Sequence, residues 1–374
     1  MKNFGKITAF IIIGALCAVF NMAAWMIKGF ADLYTDNLFL PLTAPYGRLT
    51  SLVKVSVGEI MLIVLCLIAA LIVLCLTGSL IVFLMKKESP GWLRILQISL
   101  KKTLPVLFLV VAVIMSLNCF VLYHCTPIKT GEVTKDSYSV EELGALRDFV
   151  VTRCNELSES VERDADGSVI YDGDMAGEAK EAVKGLSGEY KRMEGFFVTP
   201  KVLTFSGFMS QQYMQGYYFP FSMEANINGE MYIMNKPFTM CHELAHTRGY
   251  IYEDEANFLG YLACIESGDM VFEYSGYLGI LPYVNNDYYR SVSEEEYKSH
   301  VKISGKVRYD SQFLTSEAWA EVEKRSVLDT EVVKKAADTF IDTNLKVNGI
   351  AAGKASYSHV VGLLLDYYNN NPYN

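Results

Sequence analysis

The 374-residue chain carries 33 Lys and Arg against 42 Asp and Glu, a formal net charge of −9, and is 51% hydrophobic. Charge is segregated: residues 1–125 hold ten basic and four acidic side chains, net +6, so the remainder carries −15. An acidic remainder without a Lys/Arg run excludes nucleic acid as a partner, and eight cysteines with no C-x-x-C spacing exclude a disulfide framework.

Length allows more than one domain. Three uncharged apolar segments come first, over residues 7–27, 60–85 and 104–125. Each reaches the ~20 residues that cross a bilayer, so the lipid bilayer is the first expected partner. Segment 7–27 follows Lys2 and Lys6 but lacks an A-x-A site, which favours a retained helix over a cleaved signal peptide. Lys2 and Lys6 on one side, and Lys86, Lys87, Arg94, Lys101 and Lys102 in the 86–103 connection, mark the cytoplasmic faces. The 28–59 loop, with three basic and three acidic residues, then lies outside, as does everything after residue 125.

TPIKTGEV (126–133) reads as a linker into a second domain, 126–374. Ser139 with Glu142 is a capping-box signature, so a helix is expected from there to about 163. Residues 164–174 (DADGSVIYDGD) lack the alternating oxygen ligands and closing Glu of an EF-hand, and read as a turn-rich connection. A helix over 175–194 follows, then a strand at Lys201–Ser206. Asn228-Gly229 between Met223–Ile227 and Met231–Met234 predicts a hairpin. The aromatic run Tyr213–Phe221 suits a cleft lining or core.

The next stretch, PFTMCHELAHTRGYIYEDEANFLGYL (237–262), carries the chemistry. Pro237 suits a first helical turn and Gly249 a left-handed helix end, predicting a helix over 237–248. His242 and His246, four apart, share one face of it and can grip one ion. Glu243 projects beside them, where a carboxylate acts as general base toward a metal-bound water in a zinc hydrolase. A second helix, 253–267, begins with Glu253-Asp254-Glu255. Catalytic zinc takes three protein ligands and keeps one position open, and a carboxylate is a common third ligand. Cys241 and Cys264, one on each helix, are a bridge or two buried thiols. Further helices are expected from Ser293 and near 315–326, 330–348 and 356–369. Oxyanion stabilisation needs a Tyr, His or Arg. His300, Tyr309, Tyr357 and His359 are available, and the sequence does not choose among them.

The E-x-x-A-N-x-F pattern from Glu253 resembles the third-ligand helix of gluzincin-type metallopeptidases. That resemblance makes Glu253 the third zinc ligand, with Glu255 as fallback because the helix rotation is unknown, and Asn257 the residue that orients the site. The metzincin H-x-x-G-x-x-H is echoed less well, since its third-ligand slot holds Tyr252. In zincins a strand edge beside the site helix pairs with the substrate backbone, and the resemblance implies the same here. The three amino-terminal segments, the HELAH…G…EDEANF core and the segment 342–368 together resemble a bacterial family. That family is catalogued only as a domain of unknown function, with a zincin-like core. The expected architecture is therefore a multi-domain membrane protein, three transmembrane α-helices (1–125) followed by a mainly helical α+β zincin-like domain (126–374). The expected function is a membrane-anchored zinc metallopeptidase acting on an unspecified peptide or protein. The alternative is a zinc-stabilised, non-catalytic surface receptor or scaffold. An intramembrane protease is disfavoured, because Lys236, Glu243 and Arg248 would be costly at membrane depth.

Overall fold

A computed structural model describes residues 2–128, 138–347 and 359–371. Most of the predicted 126–133 linker, Gly349 and Tyr357 lie outside the described residues. Among the described residues three helices are long and apolar enough to cross a membrane: Thr8–Met26, Val57–Leu84 and Gly91–His124, with mean hydropathies of 2.1, 3.3 and 2.6. Their outward side chains, such as Leu62, Leu67, Leu74 and Phe108, are exposed Leu and Phe, which suits lipid rather than water as solvent. The protein is membrane-associated on this evidence.

Two predicted connections are helical instead. The 28–59 loop folds as Phe30–Tyr34, a π-turn at Thr35–Phe39 and a helix at Leu40–Ser51. Gly29 (φ 80°) supplies the reversal after the first span. Pro41 sits in the first turn of that helix. The 86–103 connection is replaced from Gly91 onward by an early start of the third long helix, where Leu93 packs against Gly78.

Beyond residue 138 the chain is mostly helical with a small sheet. The helix Val140–Ser160 starts at the predicted capping box, Ser139 and Glu142 bonding each other's backbone. It packs against Met270–Ser291, a 22-residue helix that the sequence pattern did not mark. The predicted 175–194 helix stops at Gly185 and continues as short 3₁₀ turns. In the 164–174 connection the Asp164 carboxylate accepts the amides of Asp166 and Ser168, closing a tight turn. A helix at His359–Asn370 seals the core, its Tyr368 hydroxyl meeting that of Tyr261.

The sheet corrects the predicted hairpin. Strands β1 (Lys201–Val202), β2 (Gly216–Phe219) and β3 (Glu224–Ile227) lie in the order β1-β3-β2. β3 pairs antiparallel with β2, Gly216 opposite Ile227 and Phe219 opposite Glu224, and parallel with β1. Residues 231–234 form no strand, and Ile233–Asn235 is a 3₁₀ turn. Asn228 is not a hairpin tip: its side chain donates to Ser210 Oγ and the Met214 carbonyl and accepts from the Glu230 amide. The reversal falls instead at Pro220–Met223, with Met223 at φ 55°.

Candidate metal centre

The site helix spans Lys236–Thr247, with Pro237 in its first turn. It ends at Gly249, whose φ of 87° is the left-handed conformation expected of a helix-terminating glycine. A turn of 3.6 residues stacks His242 and His246, and their rings meet edge-on with centroids 4.6 Å apart. After the reversal at Gly249–Tyr252 the next helix, Glu253–Glu266, runs back along the first. Its first residue then meets the imidazoles: Glu253 Oε2 lies 3.3 Å from His242 Nε2 and 3.8 Å from His246 Nε2. The two Nε2 atoms are 3.0 Å apart, and one ligand atom from each of the three residues falls within 4.8 Å of the others.

Two residues chosen from sequence sit differently. Glu255 points away from the cluster, its Oε1 accepting the Ile128 amide at 2.6 Å. Burial pushes the Glu255 carboxyl up to about 8 despite that amide. Asn257 lies beside His242 and donates to the Tyr283 hydroxyl at 3.3 Å.

Electrostatics separate the members. Burial opposes the charge on Glu253, but the hydrogen bond from His242 and the two imidazole fields override it and bring the carboxyl down to about 2. Burial draws His246 down to about 4, and neighbouring His242 adds to the effect. Burial also disfavours protonated His242, yet Glu253 holds it above the ordinary value. Glu243 is raised to about 8 by burial, against the pull of His242 and the support of the Tyr218 amide.

These residues fit a zinc ion. Ligand atoms on one tetrahedral zinc lie ~3.3 Å apart when each bond is about 2.0–2.2 Å, and the three separations here, 3.0, 3.3 and 3.8 Å, bracket that value. His246 Nδ1 donates to the Tyr250 carbonyl at 2.7 Å, which turns the Nε2 lone pair toward the cluster. His242 Nδ1 and Glu243 Oε2 are buried without a hydrogen-bond partner among the described residues, and buried groups of that kind call for an explanation.

Several neighbours escaped the sequence reading. Gly216 on β2 is pressed onto Glu243: a Cβ there would fall 2.4 Å from Glu243 Oε1 and 2.6 Å from Thr239 Cγ2. A glycine inside a strand marks close backbone approach, and that was its available signal. Tyr283 is reached through Asn257, and Tyr217, from the aromatic run expected to line a cleft or core, lies in the field of Glu243. Of the residues considered for the oxyanion, His300 is held between Asp148 and Tyr288 at 2.7 and 2.6 Å, and Tyr309 meets Tyr232 edge-on. His359 faces Asp254 at 3.8 Å. Cys241 and Cys264 are free thiols with their sulfurs 3.9 Å apart. A cavity of about 820 Å³ is bordered by Asp36, Leu40, Arg192, Arg248 and Tyr250 and by none of His242, Glu243, His246 and Glu253.

Fold and site together define a membrane-associated, mostly helical protein with a His-His-Glu cluster, its glutamate partly exposed, and a second, buried glutamate beside it. Comparison with known families carries the identification further. The chain belongs to the family described as "Protein of unknown function (DUF3810)", which matches residues 34–365 and so takes in the second and third membrane segments and the cluster. No curated protein and no solved structure matches the chain.

Proposed function

We propose that the protein is a membrane-anchored zinc metallopeptidase with a gluzincin-like ligand set, its 138–371 region on the outer face of the membrane. The observation that carries the reading is the convergence of His242, His246 and Glu253 beside a buried glutamate with one unpartnered oxygen. His242, His246 and Glu253 would hold the ion. When bound, zinc supplies Lewis acidity toward a scissile carbonyl and a water. Glu243 then accepts a proton from the water that adds to the carbonyl carbon, and returns it to the amine nitrogen as the C–N bond breaks. The Glu253 side chain is 29% exposed while the Glu243 residue is 5% exposed, so the cluster opens on the Glu253 side. Lys86 and Lys87 on the connection between the second and third long helices, with Arg94, Lys101 and Lys102 in the first part of the third, support a cytoplasmic face there.

The scaffold reading draws on one observation, the close cover of Glu243 by Gly216. Zinc analysis and peptide hydrolysis by the purified full chain separate the two. Wild type and E255A should carry about one zinc per chain and E253A much less, while E243Q keeps the metal and loses hydrolysis of a peptide mixture read by mass spectrometry. A metal-free wild type under zinc-replete conditions, or hydrolysis unchanged in E243Q, would overturn the peptidase reading. Zinc without hydrolysis in wild type supports the scaffold.

A further inference from the structure

The helix Leu40–Ser51 and the π-turn before it present two unlike faces. Phe39, Thr43, Gly47 and Thr50, spaced four, four and three apart, are buried, Phe39 in the cluster that holds Tyr34, Tyr218 and Ile251, and Gly47 and Thr50 against the 196–201 segment. A Cβ on Gly47 would fall 2.7 Å from Val198 Cγ1, and Lys201 Nζ donates to the Thr50 carbonyl at 2.7 Å. Tyr46 and Asp36 reinforce that face, through the Phe221 carbonyl at 3.0 Å and Arg192 at 2.7 Å. The other face carries Leu38, Leu42, Pro45, Leu49 and Leu52, spaced four, three, four and three. Its leucines are 51% to 80% exposed. An aligned leucine stripe of that kind is not stable against water.

We propose that this stripe lies in the bilayer interface, its leucines among the lipid acyl chains at the depth of the headgroup boundary. Continuity selects lipid as the occupant. Only Ile27–Gly29 separates the segment from the first membrane helix, and only Leu52–Ser56 separates it from the second. Both helix ends emerge on the same membrane face, so the segment between them cannot leave its surface. An amphipathic interfacial helix normally turns its polar face to water; here the 196–201 segment occupies that side. Arg48, exposed and 4.8 Å from the centroid of Phe196, is placed at the headgroup level. The inference stands whether or not the metal cluster is catalytic.

The test uses the full chain in phosphatidylcholine vesicles, with and without lipids brominated at the upper acyl positions. Tryptophan is introduced singly as L42W and L49W, with V327W, at a residue 96% exposed and far along the chain from the membrane segments, as control. Emission is taken as the difference from wild type, which removes Trp25, Trp92 and Trp319. Brominated lipid should abolish most of the added emission of L42W and L49W and leave that of V327W unchanged. Quenching of both stripe variants no greater than that of V327W overturns the proposal. Emission that is blue-shifted and shielded from acrylamide, yet insensitive to bromine, overturns it too and assigns the face to a protein partner.

Discussion

Removing Lys201 tests how the site sheet is held to the membrane helices. Lys201 on β1 and Glu224 on β3 form an ion pair in which neither residue is more than 6% exposed. Lys201 Nζ also donates to the Thr50 and Val55 carbonyls at 2.7 and 3.0 Å. Glu224 accepts in addition the Val57 and Gly58 amides at 3.1 and 2.9 Å, at the N-terminus of the second membrane helix. In K201M a buried carboxylate loses its counter-charge and two carbonyls lose their donor. Breaking a buried pair from one side costs ~3–5 kcal/mol, and the helix-terminal amides that stay on Glu224 return up to ~2 kcal/mol. The expected loss is about 3 kcal/mol. E224Q, which strands the ammonium with two carbonyls, should cost a similar amount. K201M/E224Q leaves no net charge, so its cost should fall short of the sum of the single costs by ~1–3 kcal/mol. Equilibrium urea unfolding of the full chain in micelles, followed by near-ultraviolet circular dichroism, measures all three. Single losses below ~1 kcal/mol, or additivity within ~0.5 kcal/mol, would refute the claim that this pair is a buried, coupled tie.

Two further substitutions probe the same junction. Gly249 combines a φ of 87° with a contact in which a Cβ would fall 2.8 Å from Thr35 Cγ2, so G249A should cost about 2–4 kcal/mol from backbone strain and overpacking. T35S removes that methyl and should restore part of the loss in the same unfolding assay. Asp32 accepts the Thr126 amide at 3.0 Å and Arg192 Nη2 at 2.7 Å; burial opposes its charge, but these bonds outweigh it and hold its carboxyl below the usual value. A depressed carboxyl adds stability above its unfolded pKa, near ~4, and that stability is lost as pH falls through the folded value. D32N should therefore cost on the order of 1 kcal/mol at pH 7, screened by solvent, and converge on wild type in acid. A deficit independent of pH would contradict the charge argument.

Sequence carried the site helix because its signals were local. Two histidines at helical spacing, Pro237 at the start and Gly249 at the end each act within a few residues, and the structure places the helix within one residue of expectation. The choice between Glu253 and Glu255 was not local. It depends on how the second helix is rotated by the Gly249–Tyr252 turn, which brings Glu253 to the imidazoles and hands Glu255 to the Ile128 amide. The predicted hairpin failed by the same reasoning in reverse: Asn228-Gly229 is a strong turn signal, but tertiary partners Ser210 and Met214 claim the Asn228 side chain. The Met270–Ser291 helix was invisible because the 3.6-residue period disappears when most sides of a helix are buried. The 28–59 segment was read only as the loop between two apolar spans, although its leucines recur at helical spacing.

Each part of the candidate site has its own attachment to the membrane segments, so the cluster and its anchor form one structural unit. The end of the site helix rests on Thr35 and Leu122 through Gly249. The residue that opens the Glu253 helix, Tyr252, hydrogen-bonds the Tyr123 carbonyl and meets its ring edge-on at 5.8 Å. Strand β3 is tied to the second membrane helix through Glu224, and Glu59 of that helix returns the tie by accepting the Thr204 and Phe205 amides at 3.0 and 2.8 Å. Cutting the chain at residue 125 would leave Glu224 without its helix amides, Lys201 without two carbonyls, and Tyr218 and Ile251 without their apolar cover. Uncompensated buried charge and exposed core of that kind cost several kcal/mol, comparable to the whole stability of a domain. The ligand geometry is thus a property of the full chain, and metal binding measured on residues 126–374 alone would report on a different fold energy from the one that sets the three ligand atoms here.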